Sequence, residues 1–276
     1  MKRFFKSVGL TTMFVFVFAL CMLVVGSLVA VGTPYLSSDM SFMLRYFTSM
    51  IAVYGAAVLI ERMAFKRVTP VYNSKGGFDP VAILIGVVLI SAISVVLLPL
   101  EGLLTPDSRT FPDGVCTFIT VVLLAPIFEE MIFRARLYNI LSRNTSPLMS
   151  ASLSAIAFGV VHLEPIVVIE ALLVGVVLSY FYLSKRSIIT PIILHIFNNA
   201  FAYALVVLSY NGESLRELIG SSADVHIGVY LLCSLIVMTG AVFIIRYFVL
   251  EKRRMRGIEC QDMETIADHL DDEDII

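Results

Sequence analysis

Residues 80–100 read PVAILIGVVLISAISVVLLPL, a stretch without a charged side chain at any position. A helix that crosses the hydrocarbon core of a bilayer needs about 20 mostly apolar residues, so this stretch is long enough to span a membrane. The chain of 276 residues is 58% hydrophobic and 15% charged, with a mean hydropathy of +0.91. Soluble domains are typically about 45–50% apolar and about 25% charged. The composition therefore excludes a water-soluble fold and predicts an integral membrane protein.

Seven further apolar runs follow or precede this stretch, which predicts an all-α, polytopic integral membrane protein of about eight transmembrane helices. The first run follows three basic residues, as in a signal peptide. Its apolar part is longer than the roughly 7–15 residues of a signal-peptide core, so we interpret it as an uncleaved span. The eight runs lie near residues 9–32, 41–60, 80–100, 115–138, 148–163, 165–184, 188–209 and 227–250.

The basic residues predict the orientation of these spans. With the N-terminus inside, all but three of the 20 Lys and Arg residues fall on the cytoplasmic side, and Arg45, Arg109 and Arg216 fall outside. This alternation is what the positive-inside rule requires. We therefore expect a multi-pass protein of a cell membrane, with both termini cytoplasmic and a bacterial plasma membrane favoured. The net charge of -2 provides no basic surface for nucleic acid, so the lipid bilayer is the expected partner.

The runs and the charges divide the chain into four parts. Residues 1–111 hold spans 1–3, residues 112–210 hold a catalytic core of spans 4–7, and residues 211–250 hold an external loop and span 8. Residues 251–276 form a cytoplasmic tail, basic and then acidic, for which composition favours disorder. The four cysteines show neither a disulfide framework nor a zinc-binding spacing.

Two adjacent carboxylates, Glu129 and Glu130, stand in the fourth apolar run. Ionisable side chains inside a span are costly and mark functional sites by default. The two acids point about 100° apart around a helix, and Arg134 lies one turn after Glu130 on the same face. We expect Glu130 and Arg134 to pair, which leaves Glu129 to face a cavity as a general base. The alternative is a helix that ends at Glu129 with both acids in the membrane interface.

Two further polar clusters follow on the next spans. Phe158 and His162 are four residues apart, as are His195 and Asn199, so each pair shares a helical face. Histidine shuttles protons, and an asparagine amide donates hydrogen bonds to an oxyanion. The alternatives are an interfacial histidine for His162 and interhelical hydrogen bonds for His195 and Asn199.

Taken together, these clusters contain the groups of a hydrolase on three neighbouring spans. A base with one imidazole would activate water, and the other imidazole with the amide would stabilise a tetrahedral oxyanion. The same groups leave zinc open as a cofactor, with Glu129, His162 and His195 as its ligands. Glu170, on the sixth span, is a weaker candidate that we interpret as a cavity-facing or structural acid.

The motifs EExxxR, FxxxH and HxxxN, in this order over residues 112–205, resemble those of the CPBP family of intramembrane proteases. That family includes Rce1-type CAAX prenyl endopeptidases and bacteriocin-immunity (Abi) proteins. The resemblance implies eight helices, with Glu129 as the water-activating group assisted by His162. It also implies an oxyanion hole of His195 and Asn199, supported by Glu130, Arg134 and Phe158. Both a zinc-dependent and a metal-free glutamate mechanism are compatible with it.

The expected function is therefore an intramembrane endopeptidase that hydrolyses a peptide or a membrane protein, in CAAX-type processing or in bacteriocin self-immunity. One alternative is a catalytically silent protein of the same fold that binds a peptide or confers immunity. A second is a small proton-coupled transporter that uses the same ionisable groups. For His162 to reach the other groups, the turn formed by residues 162–165 must lie within the protein beside a water-filled cavity.

Overall fold

The computed structural model describes residues 2–71, 78–104, 112, 114–210 and 223–273. Within these ranges the fold is all-helical, and no strand is present. The helices are α1 (Lys2–Gly32), α2 (Ser38–Phe65), α3 (Pro80–Leu104), α4 (Val115–Ser142), α5 (Pro147–Val160), α6 (Pro165–Lys185), α7 (Ile189–Tyr210) and α8 (Ala223–Glu273).

A helix lies at each of the eight predicted apolar runs, which confirms the all-α, polytopic fold class. In the part of the chain that the structure describes, six helices, α1–α4, α6 and α8, are long and apolar enough to cross a membrane. Helix α5 has 14 residues and is therefore about 21 Å long, shorter than the roughly 30 Å hydrocarbon core. The predicted run 148–163 is thus a short helix followed by a turn, and His162 lies in that turn.

Local sequence explains where the central helices begin and end. Proline occupies the first position of both α5 and α6, where its missing N–H costs no hydrogen bond. The Ser146 hydroxyl caps α5 by accepting a hydrogen bond from the backbone N–H of Met149, at 3.4 Å. Residues in the left-handed conformation, Lys66 and Arg186, end α2 and α6. The turn between α5 and α6 comprises only residues 161–164.

Helix α4 departs from regular α geometry in two places. Thr120–Leu124 and Phe133–Tyr138 are π-helical, and the eight residues Ala125–Ile132 between them form a regular α-helix. A π-helical turn shifts the backbone hydrogen bonds by one residue, so a carbonyl oxygen is free to accept a bond from another helix. Such segments are frequent at functional sites. The two predicted acids lie in the regular part, between the two π-helical segments.

Small residues let the helices approach closely around the centre. A Cβ atom built on Gly159 would lie 2.8 Å from the backbone oxygen of Val168, so α5 and α6 touch at that point. A Cβ atom built on Gly86 of α3 would likewise lie 2.6 Å from the side chain of Leu194 on α7. Close packing of this kind is the usual source of helix association in a membrane. It brings α5 against α6 and α3 against α7.

A buried ionic cluster ties the segment after α2 to α4. The Glu61 carboxylate is fully buried and pairs with Arg136 at 3.1 Å and with Arg143 at 2.9 Å. Thr69 donates both its backbone N–H and its hydroxyl to Glu61 Oε1, at 2.8 and 2.6 Å. Because two guanidinium groups and two further donors surround one carboxylate, the burial of its charge is compensated. The sequence analysis did not single out Glu61.

The ends of the helices carry further ion pairs. Asp79, just before α3, accepts a hydrogen bond of 2.6 Å from Lys185 at the end of α6. That bond, with a second from the backbone N–H of Ala82, holds the pKa of the Asp79 carboxyl below its ordinary value. Arg186 pairs with Glu251 of α8 at 3.0 Å. These contacts join α3, α6 and α8 at one end of the bundle.

Helix α8 continues to Glu273, whereas composition favoured a disordered tail after residue 250. Residues 251–273 contain no proline and a single glycine, so nothing in the sequence interrupts the helix that enters from span 8. The predicted external loop 211–226 lies outside the described residues as far as residue 222, as do Lys75, Arg109 and Arg216. The orientation of the spans in a membrane stays a prediction.

Candidate active site

The predicted ion pair between Glu130 and Arg134 is confirmed. Arg134 Nη1 donates to Glu130 Oε1 at 2.8 Å, and both side chains are fully buried. The other end of the guanidinium donates to the backbone oxygen of Gly175 on α6, at 3.2 Å. Its carbon lies 4.5 Å from the centre of the Phe158 ring, which adds a cation–π contact. Arg134 therefore connects α4 to both α5 and α6.

The Glu130 carboxylate also holds the imidazole of His195. Glu130 Oε1 lies 2.9 Å from His195 Nδ1, and His195 is 3% exposed. Since a carboxylate paired with an arginine accepts hydrogen bonds, Nδ1 carries the hydrogen. The tautomer and the orientation of the ring follow from this bond. The other ring nitrogen, Nε2, then points away from Glu130.

Glu129 faces the opposite side of the same imidazole. Its Oε2 lies 3.6 Å from His195 Nε2, a distance longer than a hydrogen bond. Its Oε1 accepts a hydrogen bond of 2.7 Å from the hydroxyl of Tyr46 on α2. The Glu129 side chain is 12% exposed and that of Glu130 is fully buried. His195 thus lies between two carboxylates, one paired with an arginine and one with a neutral donor.

The Phe158 ring brings the second histidine to this group. Its centre lies 4.9 Å from that of His162 and 5.5 Å from that of His195, both edge-on. His162 Nδ1 lies 2.7 Å from the backbone oxygen of Phe158. A carbonyl oxygen only accepts, so Nδ1 carries the hydrogen, and in the neutral ring the acceptor lone pair is on Nε2. Leu163, next in the turn, has φ +66°, which reverses the chain immediately after His162.

The amide of Asn199 is fixed by the first π-helical segment. Asn199 Nδ2 donates to the backbone oxygen of Val121 at 2.9 Å. The second segment makes an equivalent contact, since the Ser154 hydroxyl donates to the backbone oxygen of Phe133 at 2.8 Å. An amide nitrogen carries two hydrogens, so the Val121 bond orients the group and uses one of them. Asn199 lies one turn after His195 on α7, as the spacing predicted.

Residues 111–201 match the family model of the type II CAAX prenyl endopeptidase Rce1-like proteins. The chain carries an Rce1-like domain. The resemblance inferred from the three motifs is thereby confirmed, and every motif residue lies inside the matched range. No curated protein and no solved structure matches the chain. The Rce1-like family implies CAAX-type intramembrane protease activity, and the match over residues 111–201 supports a protease or hydrolase.

The polar groups of the Rce1-like domain do not fit a zinc ion in this arrangement. The described residues contain no group of three His, Cys, Asp or Glu side chains placed to hold a metal. The Nδ1 bonds of His195 to Glu130 and of His162 to the Phe158 carbonyl would orient Nε2 of each ring, as in zinc-binding histidines, so they do not themselves oppose a metal. A tetrahedral zinc site needs three or four converging donors. The proposed ligands Glu129, His162 and His195 lie near one another without forming that set.

Sequence reasoning missed one residue that contacts the predicted site. Tyr46 lies 83 positions before Glu129, on a helix outside the Rce1-like domain, and no motif surrounds it. The one feature of the sequence that pointed to Tyr46 was its polar hydroxyl group within an apolar run. Glu170, the weaker candidate, accepts a hydrogen bond of 2.6 Å from Ser94 of α3 and makes no described contact with the site residues. This contact agrees with a structural acid.

Proposed function

We propose that the protein is an intramembrane endopeptidase of the CAAX type in which Glu129 activates the attacking water. The observation that carries the proposal is the pair of Glu129 Oε2 and His195 Nε2, 3.6 Å apart on an imidazole anchored by Glu130. A carboxylate and an imidazole held at this distance can both reach a reacting group that lies beside them. Buried Glu130 and Arg134 supply the rigid support that such a constellation needs.

The charges of the four groups favour a specific distribution of protons. Glu130 and Arg134 compensate one another, because one anion and one cation share a buried hydrogen bond. An ionised Glu129 is then balanced when His195 carries hydrogens on both ring nitrogens. In that state the site holds two anions and two cations. It presents a base on Glu129 and a donor on His195 Nε2.

In this proposal, hydrolysis takes place in two steps. The oxygen of a water molecule attacks the carbonyl carbon of the peptide bond while Glu129 takes one of its protons. The π electrons of the carbonyl move to its oxygen, which becomes the oxyanion of a tetrahedral intermediate. The intermediate collapses with cleavage of the C–N bond, and the proton held by Glu129 passes to the leaving nitrogen. Glu129 returns to its ionised form.

In this proposal, His195 and Asn199 form the oxyanion hole. They stand four residues apart on one face of α7, and each is oriented by a bond to α4. The Nε2 hydrogen of His195 and the second hydrogen of the Asn199 amide are the two donors. Donors that are fixed before the reaction stabilise developing charge without the cost of reorientation.

His162 assists from the turn after α5. With its Nδ1 hydrogen donated to the Phe158 oxygen, its Nε2 is the acceptor in the neutral ring. That acceptor is suited to hold the second hydrogen of the attacking water. The contact of the Phe158 ring with both histidines supports a common role for them.

The family match and the setting of the site support a membrane-anchored peptide as the substrate. The acids and histidines lie on helices that also present apolar side chains outward, so a peptide anchored in the bilayer is the substrate that reaches them most directly. A prenylated CAAX sequence provides such an anchor. The proposal places the protein in a bacterial plasma membrane with both termini cytoplasmic, where it processes membrane peptides or confers bacteriocin immunity.

The test uses the full-length protein in liposomes and an internally quenched peptide that ends in S-farnesyl cysteine, two aliphatic residues and a terminal residue. We expect cleavage directly after the cysteine, identified by mass spectrometry, and slower cleavage of the unprenylated peptide. Activity should persist in the presence of a zinc chelator, because the donor arrangement does not fit the metal. His195→Ala should abolish cleavage.

Three results would count against this proposal. Binding of the peptide without cleavage by the wild type would favour the silent binding or immunity protein. Proton flux in the same liposomes, dependent on Glu129 and unaccompanied by cleavage, would favour the transporter. Loss of activity on chelation, restored by zinc, would replace the metal-free mechanism with a metalloprotease mechanism.

A further inference from the structure

One polar contact reaches the site from outside the Rce1-like domain. The hydroxyl of Tyr46, on α2, donates to Glu129 Oε1 at 2.7 Å. The domain covers residues 111–201, so α2 precedes it by more than 40 residues of sequence. Glu129 has one oxygen on this phenol and the other facing His195. The carboxylate therefore has a defined orientation in the plane between α2 and α7.

The position of the phenol is fixed by its neighbours. Phe47, the next residue on α2, packs edge-on against Phe128, the residue before Glu129, with ring centres 5.6 Å apart. The ring of Phe42, one turn earlier on α2, lies 6.4 Å from that of Tyr46. The first of these contacts is edge-on and the second is tilted, and aromatic pairs have such preferred geometries. Tyr46 and Glu129, which form the hydrogen bond, are thus each next in sequence to one ring of the Phe47–Phe128 pair.

A tyrosine suits this position because it donates a hydrogen bond without carrying a charge. A lysine or arginine here would pair with Glu129 and compete with the imidazole for the carboxylate. A phenol instead holds one oxygen and leaves the negative charge available to a proton from water. Without that donor, the Glu129 carboxylate would be free to rotate and close the 3.6 Å separation from His195.

We propose that Tyr46 is a positioning residue that orients the Glu129 carboxylate, so that α2 completes the active site of the Rce1-like domain. This proposal rests on the proposed function, in which Glu129 activates water. Tyr46 acts through Glu129 and needs no contact with the substrate. The catalytic unit of this chain consequently extends beyond the matched domain to the N-terminal helices.

The test replaces the tyrosine by phenylalanine, which removes one oxygen atom. We expect Tyr46→Phe to lower kcat on the quenched prenylated peptide by about 10- to 100-fold with KM little changed, because misplacement of a reacting group costs this much. Thermal stability in detergent should match the wild type. A merely structural role would lower the melting temperature and the amount of active protein, and it would leave the kcat of the folded fraction unchanged.

Tyr54→Phe is the matched control on the same helix. Its hydroxyl accepts a hydrogen bond of 3.1 Å from Arg136, in the Glu61 cluster, and makes no described contact with Glu129. The same atom is therefore removed from α2 about two turns away. We expect Tyr54→Phe to retain the wild-type kcat. Equal kcat values for Tyr46→Phe and Tyr54→Phe would overturn the proposal.

A second measurement does not depend on activity. The ultraviolet resonance Raman difference between the wild type and Tyr46→Phe isolates the Tyr46 phenol and reports whether it donates to a carboxylate. We expect the donor signature in the wild type and its loss in Glu129→Ala, which removes the acceptor. Its absence in the wild type would refute the contact itself. If the signature is present and the wild type does not cleave the peptide, the orientation of Glu129 by Tyr46 stands, and it is the proposed protease function that fails.

Discussion

Glu130 and His195 are joined by a hydrogen bond of 2.9 Å between Oε1 and Nδ1, although 65 residues separate them in the sequence. Both side chains are buried, and the carboxylate is neutralised by Arg134 at 2.8 Å. Because Nδ1 is occupied, the imidazole presents Nε2 to Glu129. Of the two adjacent acids, Glu130 therefore binds the imidazole of His195, and Glu129 faces its other nitrogen.

The first prediction concerns the support of that ring. Glu130→Gln keeps the shape of the side chain and removes its charge, which leaves Arg134 buried without an anion. Breaking a buried pair in this way typically costs about 3–5 kcal/mol, so we expect that loss in the free energy of unfolding. Chemical denaturation in detergent measures it. The double variant Glu130→Leu with Arg134→Met should recover stability without recovering activity; a single variant as stable as the wild type would contradict the prediction.

A second prediction concerns the close approach of α5 and α6. A Cβ on Gly175 would lie 3.1 Å from that of Ala155 and 3.3 Å from Arg134 Nη2. Overpacking of this degree costs about 1–3 kcal/mol, and here it also displaces the guanidinium. We expect Gly175→Ala to lower both thermal stability and the rate of peptide cleavage.

Gly55→Ala provides the control for Gly175→Ala. Gly55 lies in α2, and nothing is within 4 Å of a Cβ built on it. An alanine in an exposed helical position is favoured over glycine by about 1 kcal/mol, so this variant should be neutral or slightly stabilised. If Gly175→Ala matched Gly55→Ala in thermal stability and in the rate of peptide cleavage, α5 and α6 could separate without disturbing the site, which would contradict the prediction.

Sequence periodicity was sufficient for the contacts within one helix and insufficient for those between helices. The spacing of four predicted the Glu130–Arg134 pair and the shared face of His195 and Asn199, because helix geometry fixes such neighbours. The bond from Tyr46 to Glu129 depends on how α2 packs, which no local pattern encodes. The two π-helical segments of α4 likewise have no signature in the residues that form them. For that reason the Val121 oxygen was not predicted as the partner of Asn199.

The position of His162 illustrates the same limit. A full span through residue 163 would carry this histidine away from the others, so the sequence predicts that the turn of residues 162–165 lies within the protein. The helix instead ends at Val160, and the turn before Pro165 returns the chain after about 21 Å of α5. The proline was visible in the sequence, but the length at which the helix stops depends on its packing against α6. The Phe158 ring, one turn before His162, contacts both His162 and His195.

A third prediction concerns the oxyanion hole. Asn199→Ala removes a donor that the Val121 carbonyl orients, and loss of one such donor lowers kcat by about 100- to 1000-fold. We expect KM for the prenylated peptide to change much less, since the donor acts mainly in the transition state. Asn198→Ala is the control, because Asn198 contacts only the Asn199 oxygen, at 3.4 Å, among the site residues. A drop confined to KM would assign Asn199 to substrate binding instead.

The central claim is that Glu129 activates water, and a comparison of two single-atom changes tests it most directly. Glu129→Gln and Glu170→Gln each replace an acid in an apolar helix, and Glu170 binds Ser94 away from the site. Cleavage of the prenylated peptide is measured for both variants in liposomes, with thermal stability measured alongside. The account predicts loss of detectable cleavage for Glu129→Gln and a rate near that of the wild type for Glu170→Gln. Cleavage by folded Glu129→Gln at the wild-type rate would contradict it.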